Sequence, residues 1–159
     1  MNKSELQQII LKQLEQRQFI AQEATQRAID AATDEETVPE HKYDTLALEA
    51  SYLAHGQAMR VQECEEDIRQ YRELILRGGE DQPVMLTSFL VVVDENDQEK
   101  CFFIGPCAGG LSVEWLGKEV SVLTPNAPLG QALMGREVGD EVELSVAGKC
   151  FCYEIVTVC

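Results

Sequence analysis

Seam positions in the first half of the chain recur at helical intervals. Leu14, Arg17, Ala21, Ala24, Ala28 and Ala31 repeat at spacings of three and four, the pattern of a coiled-coil seam, and the small alanines toward the distal end permit close approach of a second helix. A matching stripe runs through Leu46, Ala50, Leu53, Gln57, Val61, Cys64, Ile68, Tyr71 and Ile75, with one four-residue slip near Gln57. Between them lies Ala32-Thr33-Asp34-Glu35-Glu36-Thr37-Val38-Pro39-Glu40. Two helices of similar length joined by a short segment predict an antiparallel hairpin. Arms of ~30 residues at 1.5 Å per residue make a rod of ~45 Å. That is long beside the ~12 Å radius of gyration expected for a domain of ~78 residues.

The pattern changes at Arg77-Gly78-Gly79-Glu80-Asp81-Gln82-Pro83. Two glycines supply helix-terminating geometry and a proline prevents continuation. The domain boundary therefore falls here, giving a hairpin over residues 1–79 and a second domain over 80–159. The second half holds most of the Gly and Pro and the β-branched runs. Its alternation predicts strands at Met85–Val93, Lys100–Ile104 and Glu119–Leu123, with a turn at Asp94-Glu95-Asn96-Asp97 and a glycine loop at Gly105–Gly110. Thr124-Pro125-Asn126-Ala127-Pro128 then introduces a short helix, Leu129–Met134, closed by Gly135. A final hairpin pairs Glu141–Val146 with Cys150–Val158 around Ala147-Gly148-Lys149. The expectation is a curved antiparallel sheet with one small helix lying across it, so the whole is α+β.

Charge narrows the partners. The 159 residues hold 13 Lys plus Arg against 28 Asp plus Glu, a formal net charge of −15. No large basic face is available to neutralise phosphates, so independent nucleic-acid binding is not expected, and neither is attachment to anionic membranes. A chain this acidic is steered toward basic protein surfaces or holds divalent cations on clustered carboxylates. The polar N-terminus and the lack of any apolar run near ~18 residues give the expectation of a cytoplasmic protein. In that reducing compartment the six cysteines, at 64, 101, 107, 150, 152 and 159, read as free thiols or ligands before they read as a disulfide framework.

One stretch carries a family resemblance. Pro128-Leu129-Gly130-Gln131-Ala132-Leu133-Met134-Gly135-Arg136-Glu137-Val138-Gly139-Asp140-Glu141-Val142 resembles the C-terminal P-L-G-x-A-L-x-G, x-x-V-G-D-x-V signature of the Gre (GreA/GreB) family of transcript cleavage factors. Gly130 and Ala132 let the short helix sit close on the sheet, Leu129, Leu133 and Met134 anchor it, and Gly139-Asp140 turns into the next strand. Glu49-Ala50-Ser51-Tyr52-Leu53-Ala54-His55-Gly56-Gln57 is similar to the family's E-N-A-E-Y-x-x-A-x-x-x-Q stretch. The resemblance covers nearly the whole chain.

It implies an N-terminal antiparallel coiled-coil hairpin on an FKBP-like C-terminal β domain with one short helix. It further implies a bacterial transcription elongation factor that is not itself an enzyme. The globular domain would dock at the rim of the RNA polymerase secondary channel, with Pro128, Leu129 and Gly130 as partner-binding residues. The hairpin would enter the channel, where tip acids help hold a magnesium ion shared with the polymerase. Hard oxygen ligands suit that ion, and no nucleophile of the factor's own is needed.

At the tip the sequence departs from the family. Where cleavage factors carry a compact G-D-L-x-E-N-A, this chain has a longer, glycine-free Asp34-Glu35-Glu36-Thr37-Val38-Pro39-Glu40-His41-Lys42-Tyr43-Asp44-Thr45. Asp34, Glu35, Glu36, Glu40 and Asp44 are the candidate site acids, with Asp34, Glu35 and Asp44 the candidate Mg ligands. Two readings stand side by side: carboxylates presented to metal or basic channel residues, and a solvated turn whose acids cap or favour helix starts. The long tip with Pro39 favours an alternative, a non-catalytic inhibitor that occupies the channel and competes with cleavage factors. His41 next to Lys42 is a weak ligand candidate, Tyr43 a staple across the tip, and Glu49, Tyr52 and His55 an interhelical polar cluster with Gln22, Gln26 or Arg27. Cys150-Phe151-Cys152 places two sulfurs on one strand face, with Cys101 a candidate neighbour. Without a C-x-x-C pair or adjacent histidines, the default for these thiols is small buried hydrophobes. The Gly105–Gly110 loop lacks the Lys-Ser/Thr ending of a phosphate loop.

Overall fold

The computed structural model describes residues 2–33 and 46–159. The chain divides into two compact units, one of Leu11–Arg72 and one of Met1–Ile10 together with Glu73–Cys159. Two long helices, α1 (Lys3–Thr33) and α2 (Leu46–Glu73), supply the first. Helix α1 contains neither Gly nor Pro and is dense in Gln, Glu, Ala and Leu, the good helix formers. Asn2 opens it, its side-chain oxygen accepting the Ser4 N–H at 3.2 Å and its carbonyl the Glu5 N–H at 3.0 Å. In α2, Glu49 lies in the first turn and Arg72 in the last, each with the sign the helix dipole favours.

Within Leu11–Arg72 the helices run antiparallel: Arg72 reaches Glu15 at 3.0 Å and Gln18 reaches Glu65 at 3.4 Å. Within that stretch the buried or half-buried positions of α1 are Leu11, Leu14, Gln18, Ala21, Ala24, Thr25 and Ala28, and those of α2 are Ala50, Ala54, Gln57, Ala58, Val61, Cys64, Asp67, Ile68, Gln70 and Tyr71. A continuous 3,4 spacing can be traced through Leu11, Leu14, Gln18, Ala21, Thr25 and Ala28 and through Ala50, Ala54, Gln57, Val61, Cys64, Ile68 and Tyr71 without the slip expected near Gln57, with Ala24, Ala58, Asp67 and Gln70 half-buried beside that line. Arg17, Ala31 and Leu53, expected in the seam, are exposed, and Ile75 lies beyond the end of α2 at 70% exposure. The reason is the seam's composition: with Gln18 and Thr25 on one side and Ala54 on the other, hydrophobicity does not rank seam residues above their neighbours, and the more apolar Leu53 draws the pattern off Ala54.

The other unit is a six-stranded sheet. Strands β1 (Phe89–Asp94), β2 (Glu99–Ile104), β3 (Ser112–Trp115) and β4 (Lys118–Leu123) precede the short helix α3 (Pro128–Leu133), and β5 (Glu141–Val146) and β6 (Lys149–Val158) follow it. The spatial order is β3-β4-β2-β1-β6-β5. All neighbours are antiparallel except β2 and β4, which run parallel. The glycine loop explains that pair. Gly105 N–H bonds Leu123 O at 2.9 Å and Gly110 N–H bonds Val122 O at 2.9 Å, so the chain passes over the end of β4, descends as edge strand β3, and returns as β4 between β3 and β2. The β3–β4 turn uses Leu116 (φ 53°) and Gly117 (φ 73°), a two-residue primed turn. Opposite the break in register at Val91/Val92, β6 carries one extra residue, Val156, a β-bulge.

Both sheet faces bury apolar side chains. On one, Leu90, Val92, Phe102, Ile104, Val142, Tyr153, Ile155 and Val158 form a core with Val84 and Leu133, flanked by Leu123, Leu129, Ala132 and Met134. On the other, Phe89, Val91, Phe103, Val113, Trp115, Val120 and Val122 are buried, Phe89 meeting Trp115 edge-on at 5.1 Å. The first turns of α1 belong to this unit, with Leu6 and Ile10 fully buried and the Glu5 carboxylate accepting the Trp115 indole N–H at 3.4 Å. The segment after α2 is held from both ends of the unit: Lys3 donates to the carbonyls of Arg77 and Gly78, Gln7 donates to Leu74 O, and Thr87 binds Arg77 N–H and C=O at 2.7 and 2.9 Å.

Candidate functional site

The five candidate tip acids, Asp34, Glu35, Glu36, Glu40 and Asp44, lie outside the described residues, as do His41, Lys42 and Tyr43. Their described flanks are strongly polar. Asp30 in the last turns of α1 accepts from Gln26 at 2.9 Å, and Arg27 pairs with Glu23 at 3.8 Å. Gln26 and Arg27 therefore engage their own helix. Glu49, His55 and Tyr52 are all exposed, Tyr52 at 70%.

The Pro128-Leu129-Gly130 motif is fully described. Proline opens α3, where its missing N–H is no loss. Gly130 is required by space: a Cβ there would stand 2.0 Å from Thr124 O. The close approach comes from the preceding turn, in which Ala127 N–H bonds that same Thr124 oxygen at 3.1 Å. The far end of α3 is tied down by Gly135 N–H to Val84 O and Val84 N–H to Arg136 O, both 2.8 Å. Of the three candidate partner-binding residues, Pro128 is exposed, Leu129 is half-buried against the core, and Gly130 is buried. Asn126, Pro128 and Gln131 thus form the solvent face of the motif. Downstream, Asp140 Oδ2 accepts the Glu137 N–H at 2.8 Å and Asp140 O accepts the Ile155 N–H at 3.0 Å, which locks the Val138-Gly139-Asp140 turn against β6.

The cysteines are dispersed. Cys101 faces the buried side of β2, and burial pushes its thiol pKa up. Cys150 is exposed and Cys152 half-buried on the outer face of β6, so the reading of these two as buried hydrophobes is corrected; the edge hairpin β5–β6 has no layer over that face. Strand β1 separates β2 from β6, and Cys101 pairs with Val91, away from the Cys152 end of the ladder. Glu95, which the sequence did not single out, accepts the Cys152 N–H at 3.1 Å. Desolvation first, then the carboxylates of Glu143 and Glu95, raise the Cys152 thiol pKa. Among the described residues no group of three His, Cys, Asp or Glu side chains is placed to hold a metal ion, and no helix is long and apolar enough to cross a membrane.

Comparison with known proteins gives one family. Residues 83–159 match the family described as "Transcription elongation factor, GreA/GreB, C-term". The chain is similar to transcription elongation factor GreA of Nautilia profundicola, 33% identical over 73 residues, which cover 46% of this chain and 41% of that relative. It is also similar to GreA of Mesorhizobium japonicum, 29% identical over 131 residues, covering 82% of this chain and 78% of the relative. Among solved structures, the GreA factor homolog 1 of Thermus thermophilus aligns over 94% of both chains at 19% identity and a TM-score of 0.40.

Proposed function

This chain belongs to the GreA/GreB family of transcription elongation factors, and from that premise we propose that it binds RNA polymerase and acts through the secondary channel on elongating or backtracked complexes. The observation that carries the reading is the pairing of a GreA/GreB-type C-terminal domain with two antiparallel helices whose connecting segment carries five carboxylates within eleven residues. The β domain docks through the face bearing Pro128, and the hairpin delivers Asp34, Glu35, Glu36, Glu40 and Asp44 toward the polymerase active centre. Carboxylate oxygens are the donor class that magnesium takes; when bound, the ion supplies Lewis-acid activation of water. The chain itself contributes charge and position, and the hydrolysis belongs to the polymerase.

The test is release of a 3′ RNA fragment from stalled, backtracked complexes with magnesium present. The wild-type chain releases it, and replacing the five tip acids by alanine abolishes release while polymerase binding persists. Binding without release by the wild type would remove the cleavage role. The chain would then be a channel-occupying competitor, measurable as slowed cleavage by an authentic cleavage factor.

A further inference from the structure

The open edge of the sheet at β5 suggests a use that the family reading does not supply. β5 runs for six residues with unbroken register against β6 and carries no Pro, no Lys and no bulge on its own strand. The other edge, β3, has four residues. The β5–β6 turn places Ala147 (φ 52°) and Gly148 (φ 79°) between Val146 and Lys149, the geometry of a type I′ hairpin. In such a hairpin the residues flanking the turn exchange both hydrogen bonds, and bonded pairs then alternate along the ladder. Val146, Leu144 and Val142 therefore bond inward to β6. The backbone N–H and C=O groups of Glu141, Glu143 and Ser145 point away from it. Among the described residues none of these outward groups has a backbone partner. α3 packs against β5, on the face where Val142 joins the core.

The side chains at the outward-bonding positions select the occupant. Glu141, Glu143 and Ser145 are exposed on the face shared with Glu154 and Cys152, and Glu141, Cys152 and Glu154 line a shallow cavity of about 230 Å³ together with Glu95 and Asp97. A second copy of this chain pairing edge to edge would set Glu141 and Glu143 against their own like, which is destabilising. The same carboxylates favour lysine or arginine at alternate positions of an incoming strand. Glu95 adds a further carboxylate on this side, accepting the Cys152 N–H at 3.1 Å.

The geometry points to β5 as a docking edge for an extended, basic segment of a protein partner, added as a seventh strand beside Glu141, Glu143 and Ser145. This inference stands apart from polymerase binding and is tested without polymerase. The probe is a seven-residue peptide alternating lysine with valine or threonine, titrated into the full-length 15N-labelled chain. Two control peptides accompany it: the glutamate counterpart, and a copy N-methylated at every second amide. Expected are shifts and slowed exchange at the amides of Glu141, Glu143 and Ser145, with no response to either control. Reversing Glu141→Lys and Glu143→Lys together weakens the lysine peptide at least about tenfold. Ser145→Pro removes one outward N–H and abolishes binding. Should that variant not fold, the N-methylated peptide on the wild-type chain makes the same test. Shifts centred elsewhere, equal binding by the N-methylated or the glutamate peptide, or no binding at millimolar peptide each overturn the inference.

Discussion

Replacing Gly130 with alanine sets two effects of opposite sign against each other. In an unobstructed helix the change stabilises by about 1 kcal/mol, because alanine has the higher helix propensity. Here the new methyl would lie 2.0 Å from Thr124 O and 3.0 Å from the Thr124 carbonyl carbon. An ordinary C···O approach is about 3.3 Å or more, so the carbon must move by over an ångström or Thr124 must. The threonine carbonyl is held by Ala127 N–H at 3.1 Å, and the other end of α3 is tied to Val84. Overpacking against fixed backbone falls at the upper end of the usual range, about 3 kcal/mol, and outweighs the propensity gain by about 2 kcal/mol. For a unit of this size that lowers the melting temperature by about 8–16 °C. Trp115 is the chain's single tryptophan and is buried at 3% exposure, so its fluorescence reports this unit in thermal or urea unfolding. An unchanged or raised midpoint for Gly130→Ala would refute the steric account of the motif.

Three further outcomes follow from the same reasoning. Gly56, inside α2 with nothing within 4 Å of an added Cβ, gives the opposite sign: Gly56→Ala stabilises by up to about 1 kcal/mol, read from helical ellipticity on heating. Thr87→Val keeps the side-chain volume and the left-handed backbone (φ 75°). It removes both bonds to Arg77, so it costs about 1–2 kcal/mol and speeds hydrogen exchange at the Arg77 amide, whereas Thr87→Ser leaves that amide protected. Burial raises the Cys101 thiol pKa in the folded chain, so the unfolded chain loses its proton first as pH rises. The contribution is intact below the ordinary thiol range, about 8.5, and is lost as pH climbs through it toward the folded value. Urea midpoints should fall over that interval, and less steeply in Cys101→Ala.

Much of this fold is legible in the sequence where local chemistry decides. β5 occupies Glu141–Val146 as alternation predicts, and α3 is fixed within one residue by proline at its start and glycine beyond its end. Strand β3 is invisible to that approach. It is four residues long, and its turn puts Leu116 at positive φ, where asparagine or glycine is the usual marker. The parallel β2–β4 pair is likewise a property of the glycine loop's path over β4, which strand patterning does not encode. In the hairpin, Leu53 misled because Ala54 holds the protected position; a seam of small residues offers little hydrophobic contrast. For the site, the packing role of Gly130 is readable in the sequence, but only the geometry shows that the close approach is to Thr124 O in the preceding turn and that Pro128 lies at the surface. Glu95 beside Cys152 arises from two segments 57 positions apart, beyond any local pattern.

The most direct measurement of the central claim is association of the purified full-length chain with core RNA polymerase at moderate salt, followed by co-elution or pull-down. The account predicts a stable complex that survives alanine replacement of Asp34, Glu35, Glu36, Glu40 and Asp44, because the proposed docking surface lies on the β domain. Absence of any complex with correctly folded wild-type chain would contradict it.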